Sequence, residues 1–182
     1  MAHSDDESTV FQDLIRPHLS DLYRLAYRFT GAVADAEDLV QEVLIKVYER
    51  RSELTSIGAL RPWLSRVLYN QFIDNVRRYS RQRLQSVPLD PQGADAISNE
   101  ALQSQEPDPE DAAEHAFNIN ELGRALESLS LEHRAVLLMH DSQGYKLEEI
   151  QVITGTPLGT LKSRLHRARA RLRDLLSSGG TF

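Results

Sequence analysis

Lys162, Ser163, His166 and Arg167 stand at i, i+1, i+4 and i+5, a spacing that gathers side chains on one face of an α-helix. Their groups suit the edges of base pairs: Arg and Lys donate to guanine, and Ser pairs with several bases. Thr160 joins the same surface, and Arg164, Arg169, Arg171 and Arg173 are placed to hold phosphate oxygens. A basic helix standing alone is most often a solvated face. Here the residues before it change that reading. A short helix is expected from Lys146 through Leu147 and Ile150 to Ile153, and Gly155 suits the left-handed residue that closes it. Thr156 can cap the next helix, with Pro157 at its first position. Two short helices about a glycine turn, the second basic, describe a helix-turn-helix, a unit that reads a DNA major groove.

Catalytic and metal chemistry find little support. His133 and His140 lie seven apart on one expected helix and Asp141 follows, yet no third ligand stands at a metal-site spacing. No glycine-rich phosphate loop and no Ser/His/Asp constellation accompanies them. The chain has no cysteine, which excludes disulfides, thiolate zinc sites and cysteine nucleophiles. The expectation is a protein that is not an enzyme and that carries no metal and no cofactor.

Two further polar surfaces lie in the first half. Asp35 can cap a helix, with Asp38 at the capping-box spacing. Leu39/Val40, Val43/Leu44 and Val47/Tyr48 then recur every four positions, leaving Asp35, Asp38, Gln41 and Glu42 on a polar side. A loop over 52–59 follows, and Pro62 suits the first turn of another helix. On that helix Trp63, Leu64, Val67, Leu68, Phe72 and Val76 face a core, while Arg66, Asn70, Asp74, Arg77, Arg78 and Arg81 occupy the other face. An earlier stripe of Val10, Leu14, Leu22, Leu25, Ala26 and Phe29 ends near Gly31.

These elements predict an all-α protein of two small helical domains. The first spans 9–84 and the second, carrying the helix-turn-helix, spans 116–177. No run alternates apolar and polar residues with β-branched enrichment, so no strand is expected. Between the domains, 85–115 holds Pro88, Pro91, Pro107 and Pro109 among polar residues and reads as a flexible acidic linker. Charge is sorted accordingly. The 182 residues sum to −6, but eight acids and no Lys or Arg lie between Gln85 and Asn118, so the remainder is +2. Arg61 to Arg83 and Thr160 to Asp174 each carry six basic residues against one Asp. A DNA phosphate feels that local field rather than the total. The polar, acidic stretch Met1 to Glu7 does not read as a signal peptide, and no apolar run reaches the ~18 residues of a membrane span, so the expectation is a cytoplasmic protein without membrane insertion.

The helix-turn-helix residues also carry a family resemblance. Tyr145-Lys146-Leu147-Glu148-Glu149-Ile150, followed by Gly155-Thr156-Pro157-Leu158-Gly159-Thr160-Leu161-Lys162-Ser163-Arg164-Leu165-His166-Arg167-Ala168-Arg169, closely resembles region 4 of extracytoplasmic-function (ECF) sigma factors. Leu126-Glu127-Ser128-Leu129 and Arg134-Ala135-Val136-Leu137-Leu138 look like the helix pair before it. Asp35-Ala36-Glu37-Asp38-Leu39-Val40-Gln41-Glu42-Val43 resembles region 2.2, and Pro62-Trp63-Leu64 with Asn70, Asp74, Arg77 and Arg78 resembles regions 2.3 and 2.4.

The resemblance implies an RNA polymerase subunit that directs initiation at promoters. Its partners would be the polymerase core, through the largest-subunit clamp and the flap, and promoter DNA. An anti-sigma factor is a further partner that the residues neither specify nor exclude. Asp35, Asp38, Gln41 and Glu42 would meet the clamp, with Leu39 and Val43 as anchors. Asn70 with loop residues Ser56 to Leu60 would capture an unpaired −10 base, and Arg66, Arg77, Arg78 and Arg81 would hold the backbone. The loop departs from the family's common Phe-Arg-Gly, having Leu54-Thr55-Ser56-Ile57-Gly58. Trp63 reads first as core and second as part of the −10 surface, with Asp74 beside it. The helix bearing Lys162 and Arg167 would read the −35 element. The linker is either a tether or, as in relatives, a segment threading the active-site cleft and RNA exit path. The alternative is a helix-turn-helix regulator that never joins polymerase.

Overall fold

The computed structural model describes residues 2–85 and 121–179, and the acidic stretch expected as a linker lies, apart from Gln85, outside them. Every regular element among the described residues is helical, in agreement with the all-α expectation. By contact the chain divides into two compact units, one built mainly on the helices before the acidic stretch and one on those after it.

In the first unit, helix α1 spans Ala2–Ile15, a 3₁₀ turn Arg16–His18 follows, and α2 spans Leu19–Thr30. The turn contains Pro17, whose missing N–H interrupts the α-helical ladder. The sequence stripe from Val10 to Phe29 therefore breaks at Pro17: Leu22, Leu25, Ala26 and Phe29 are buried, while Val10 on the other side of the break is exposed. Helix α3 spans Val33–Glu49 and starts three residues earlier than the expected Asp35 cap implied, so Asp35 lies in its first turn. There its charge still complements the helix dipole.

A 3₁₀ helix Arg51–Ser56 leads towards α4, Leu60–Gln85. Pro62 falls inside the first turn of α4, where a missing N–H costs no intrahelical bond. The core joins Leu25 and Phe29 of α2, Val43 and Val47 of α3, and Leu64, Leu68 and Phe72 of α4. Phe29 and Phe72 stack at 4.9 Å, and α2 packs along α4. Asp21 of α2 reinforces that packing by accepting from Arg61 Nε of α4 at 3.3 Å.

In the second unit, α5 is described over 121–127 and α6 spans Leu131–Leu137. The Ser130 hydroxyl accepts the His133 N–H as the cap of α6. A π-helical turn, Leu138–Ser142, extends α6, with Gln143 N–H bonded to Leu138 O at 3.0 Å. Gly144, at φ +70°, then lets the chain reverse, and Tyr145 N–H returns to Met139 O at 3.0 Å. Helix α7 spans Leu147–Thr154 and α8 spans Leu158–Gly179. Met139, Tyr145, Ile150, Leu161 and Ala168 form the centre of this unit, and α6 packs against α8.

Candidate nucleic-acid interface

The placement of α8 begins with α7. The Lys146 N–H is accepted by the Glu149 carboxylate at 2.8 Å, which fixes the start of α7. Gly155, at φ +70°, ends it with its N–H on Gln151 O at 2.9 Å. A side chain at this left-handed position would be strained, so the glycine sets the angle at which the chain leaves α7. The chain re-enters a helix at once, Leu161 N–H bonding to Pro157 O at 3.0 Å. Helix α8 thus begins one residue later than the expected Thr156 cap implied.

Leu161, Leu165 and Ala168 are buried. Thr160, Lys162, His166, Arg167, Arg171 and Arg173 are exposed, and Ser163 and Arg164 are half-buried. The Ser163 hydroxyl donates to Thr160 O at 2.9 Å, which leaves its lone pairs to accept from a base. Arg169, grouped by sequence with the phosphate-holding cations, is engaged within the protein. Its Nε donates to Asp141 Oδ2 at 2.9 Å, and its Nη2 donates to Asp141 Oδ1. This hydrogen bonding holds the Asp141 carboxyl below its usual range and raises the Arg169 guanidinium. The neighbouring His140 has its Nδ1 2.8 Å from Tyr145 O, and no group of three metal-ligating side chains exists among the described residues.

In the first unit, α4 displays Arg66, Asn70, Asp74, Arg77, Arg78 and Arg81 on its exposed side, as expected. Arg81 Nε donates to Arg77 O at 3.3 Å. Trp63 is half-buried beneath the Arg50 guanidinium, 5.4 Å from the ring centroid, so it serves the packing and still borders the surface. A cleft of about 350 Å³ opens beside Asn70. Its walls include Trp63, Asn70 and Asp74 of α4, Lys46 and Glu49 at the end of α3, and Arg50 just after it. None of Ser56 to Leu60 lines that cleft, and the Ser56 hydroxyl instead donates to Glu53 O at 2.6 Å.

On α3, Asp35, Asp38 and Gln41 are exposed. Leu39 and Val43, expected to anchor the helix, are 2% and 0% exposed and belong to the unit's own core, which takes Leu39 off the docking face it was grouped with. Glu42 turns inward: its Oε2 accepts from Gln71 Nε2 and from Asn75 Nδ2, each at 2.8 Å. Its Oε1 lies 3.9 Å from Arg78 Nη2.

Comparison with known sequences matches both units to one family. Sigma-70 region 2 matches residues 14–82, and Sigma-70, region 4 matches residues 119–172. SigL of Mycobacterium tuberculosis, an ECF RNA polymerase sigma factor, is 34% identical over 96% of this chain and 93% of its own length. The chain belongs to the ECF sigma factors. This sigma factor is also 38% identical to SigE of Mycolicibacterium smegmatis over 92% of its own residues, and it spans 62% of the length of that relative. The solved structure of the Bartonella quintana sigma factor RpoE, in complex with the anti-sigma factor NepR, superposes with a TM-score of 0.72 at 27% identity. That likeness covers 92% of this chain and 96% of the other.

Sequence reasoning found the faces of the sigma factor's helices and missed several contacts across them. Lys46, Glu49 and Arg50 were not among the expected site residues, although they follow one another at helical spacing just before the loop. In the sequence Asp141 stands out only beside His140, as part of a possible metal pair. Its acidic character, close to a basic final helix, was the one available signal of its pairing with Arg169.

Proposed function

We propose that this sigma factor joins the RNA polymerase core and brings it to promoters through three surfaces. The exposed face of α3, with Asp35, Asp38 and Gln41, docks on the basic clamp of the largest subunit. The exposed face of α4 holds the −10 element: Asn70 captures an unpaired base, and Arg66, Arg77, Arg78 and Arg81 hold its backbone, with Asp74 and Trp63 bordering the site. On α8, Lys162, Ser163, His166 and Arg167 meet −35 base edges, while Thr160, Arg164 and Arg171 contact phosphates. The second unit also meets the polymerase flap.

The observation that supports this reading is the pairing, in one chain, of an exposed acidic face on α3 with two basic helical faces, each in a unit matching a sigma region. An Asn amide offers both a donor and an acceptor to a base edge, which suits capture without covalent chemistry. Opening a duplex by trapping unpaired bases needs no nucleophile and no cofactor, so the protein acts without catalysis of its own. No helix among the described residues is long and apolar enough to cross a membrane. A protein that works on chromosomal promoters acts in the cytoplasm. Binding by an anti-sigma factor is the expected mode of restraint, as NepR binds RpoE in the Bartonella quintana complex.

Reconstitution tests the proposal. Mixed with purified core polymerase, the chain should co-elute with it and support initiation from a promoter mapped after overexpression. A chain that bound duplex DNA but never co-eluted with core would be a helix-turn-helix regulator instead.

A further inference from the structure

We propose that Asp141 sets the strength with which the second unit grips DNA, by holding the Arg169 guanidinium against the protein and off the phosphate backbone. The proposal rests on α8 being the DNA-reading helix. At ~100° per residue, Arg169 lies about 20° around the helix from Lys162 and about 40° from Arg173. Both of those neighbours are exposed, so Arg169 shares the edge of the basic face with them. Position along α8 gives no reason for it to behave differently.

The difference comes from the turn after α6. Asp141 sits within the π-helical turn Leu138–Ser142, and the reversal at Gly144 closes that turn. Both carboxylate oxygens of Asp141 are met by Arg169, through Nε and Nη2, in the fork-to-fork arrangement that fits a guanidinium best. The two side chains are 49% and 38% exposed, so the pair stands at the surface that a phosphate would approach. There the carboxylate acts twice: it cancels the Arg169 charge, and it repels an incoming phosphate. The depressed Asp141 carboxyl keeps it ionised throughout the neutral range.

Phosphate contact can be read without knowing the promoter, because it is independent of sequence and appears in the salt dependence of binding. Each neutralised phosphate adds about 0.9 to the slope of log K against log salt. The full chain should be titrated onto a labelled random-sequence duplex at several salt concentrations, followed by anisotropy. Asp141→Ala should bind about two- to fivefold tighter near 0.1 M salt, with a slope steeper by about 0.9. Asp141→Asn, which keeps the shape of the turn, should move both quantities in the same direction. Circular dichroism confirms that each variant keeps its helicity.

The gain should be clearly smaller when Asp141→Ala is introduced on an Arg169→Ala background, where only the relief of repulsion remains. A gain of undiminished size there would mean that Asp141 acts by repulsion alone, and it would overturn the assigned role of Arg169. Equal or weaker binding by Asp141→Ala would also overturn the proposal, since Asp141 would then brace or orient the helix. Lys162→Ala and Arg167→Ala are measured in parallel. If they flatten the slope while Asp141→Ala does nothing, only this proposal fails. If they leave it unchanged, the reading of α8 fails and takes this proposal with it.

Discussion

Gln71 Nε2 donates to Glu42 Oε2 at 2.8 Å, which ties α4 to α3 across the first unit. Gln71 is 8% exposed, and its amide nitrogen is satisfied by this carboxylate and by Asn75 Oδ1, 3.1 Å away. An acceptor-only carboxylate also decides which end of the Gln71 amide faces it. Glu42→Ala removes the acceptor from two amides at once. The expected cost is about 1–2 kcal/mol of unfolding free energy, less than for a fully buried charged hydrogen bond because Glu42 is partly exposed. Urea unfolding measures it, and an unchanged midpoint would show that water replaces the carboxylate without loss.

Docking on polymerase is predicted to depend on the outward residues of α3 and not on its buried ones. Asp38→Arg combined with Gln41→Ala should abolish co-elution with core polymerase, while far-ultraviolet circular dichroism stays unchanged. Normal holoenzyme formation by the folded double variant would move the docking surface elsewhere.

Recognition of the −35 element is predicted to depend on Arg167 as a reader of base edges. Arg167→Ala should weaken cognate binding by about 1–3 kcal/mol and relax the preference at one position. Competition between cognate and single-base-changed duplexes separates the outcomes: an equal loss on all of them would make Arg167 a phosphate contact.

Promoter opening is predicted to fail when Asn70 loses its amide. Asn70→Ala should leave core and duplex binding close to normal and slow the formation of heparin-resistant complexes. Permanganate reactivity of −10 thymines reports this directly. A pre-melted template should restore only part of the loss, because capture of the unpaired base is still missing. Full-speed opening on linear duplex would remove Asn70 from the base pocket.

Acid stability should carry the signature of Asp21. Hydrogen bonding from Arg24, with a further bond from Arg61, holds its carboxyl below the ordinary 3.8 against the opposing effect of burial. A group with a depressed folded value stabilises the fold at neutral pH, and that contribution fades as pH falls through about 4 and below. Asp21→Asn should therefore be less stable than the parent near neutrality, by no more than about 1 kcal/mol for so exposed a pair, and equal to it in acid. Urea midpoints between about pH 7 and about pH 3 should converge at the acid end; a constant gap would mean that the Asp21 charge is not the cause.

Much of this molecule is legible in local spacing. The 3.6-residue period of Leu161, Leu165 and Ala168 places them on the buried side of α8 and leaves Lys162 and Arg167 outside. Gly155 announces the turn before α8, because a left-handed backbone is a property of that one residue and its neighbours. A helical wheel names a face but not what stands opposite it. Glu42 and Gln71 are 29 residues apart, and Asp141 and Arg169 are 28 apart. Each pair meets only after two helices have packed and brought their side chains into register. The same packing takes Leu39 off the docking face and into the core, and brings Lys46 and Arg50 to the cleft beside Asn70. Periodicity is written by neighbours along the chain, whereas partners across a helix interface depend on how the helices cross, which no short stretch of residues encodes.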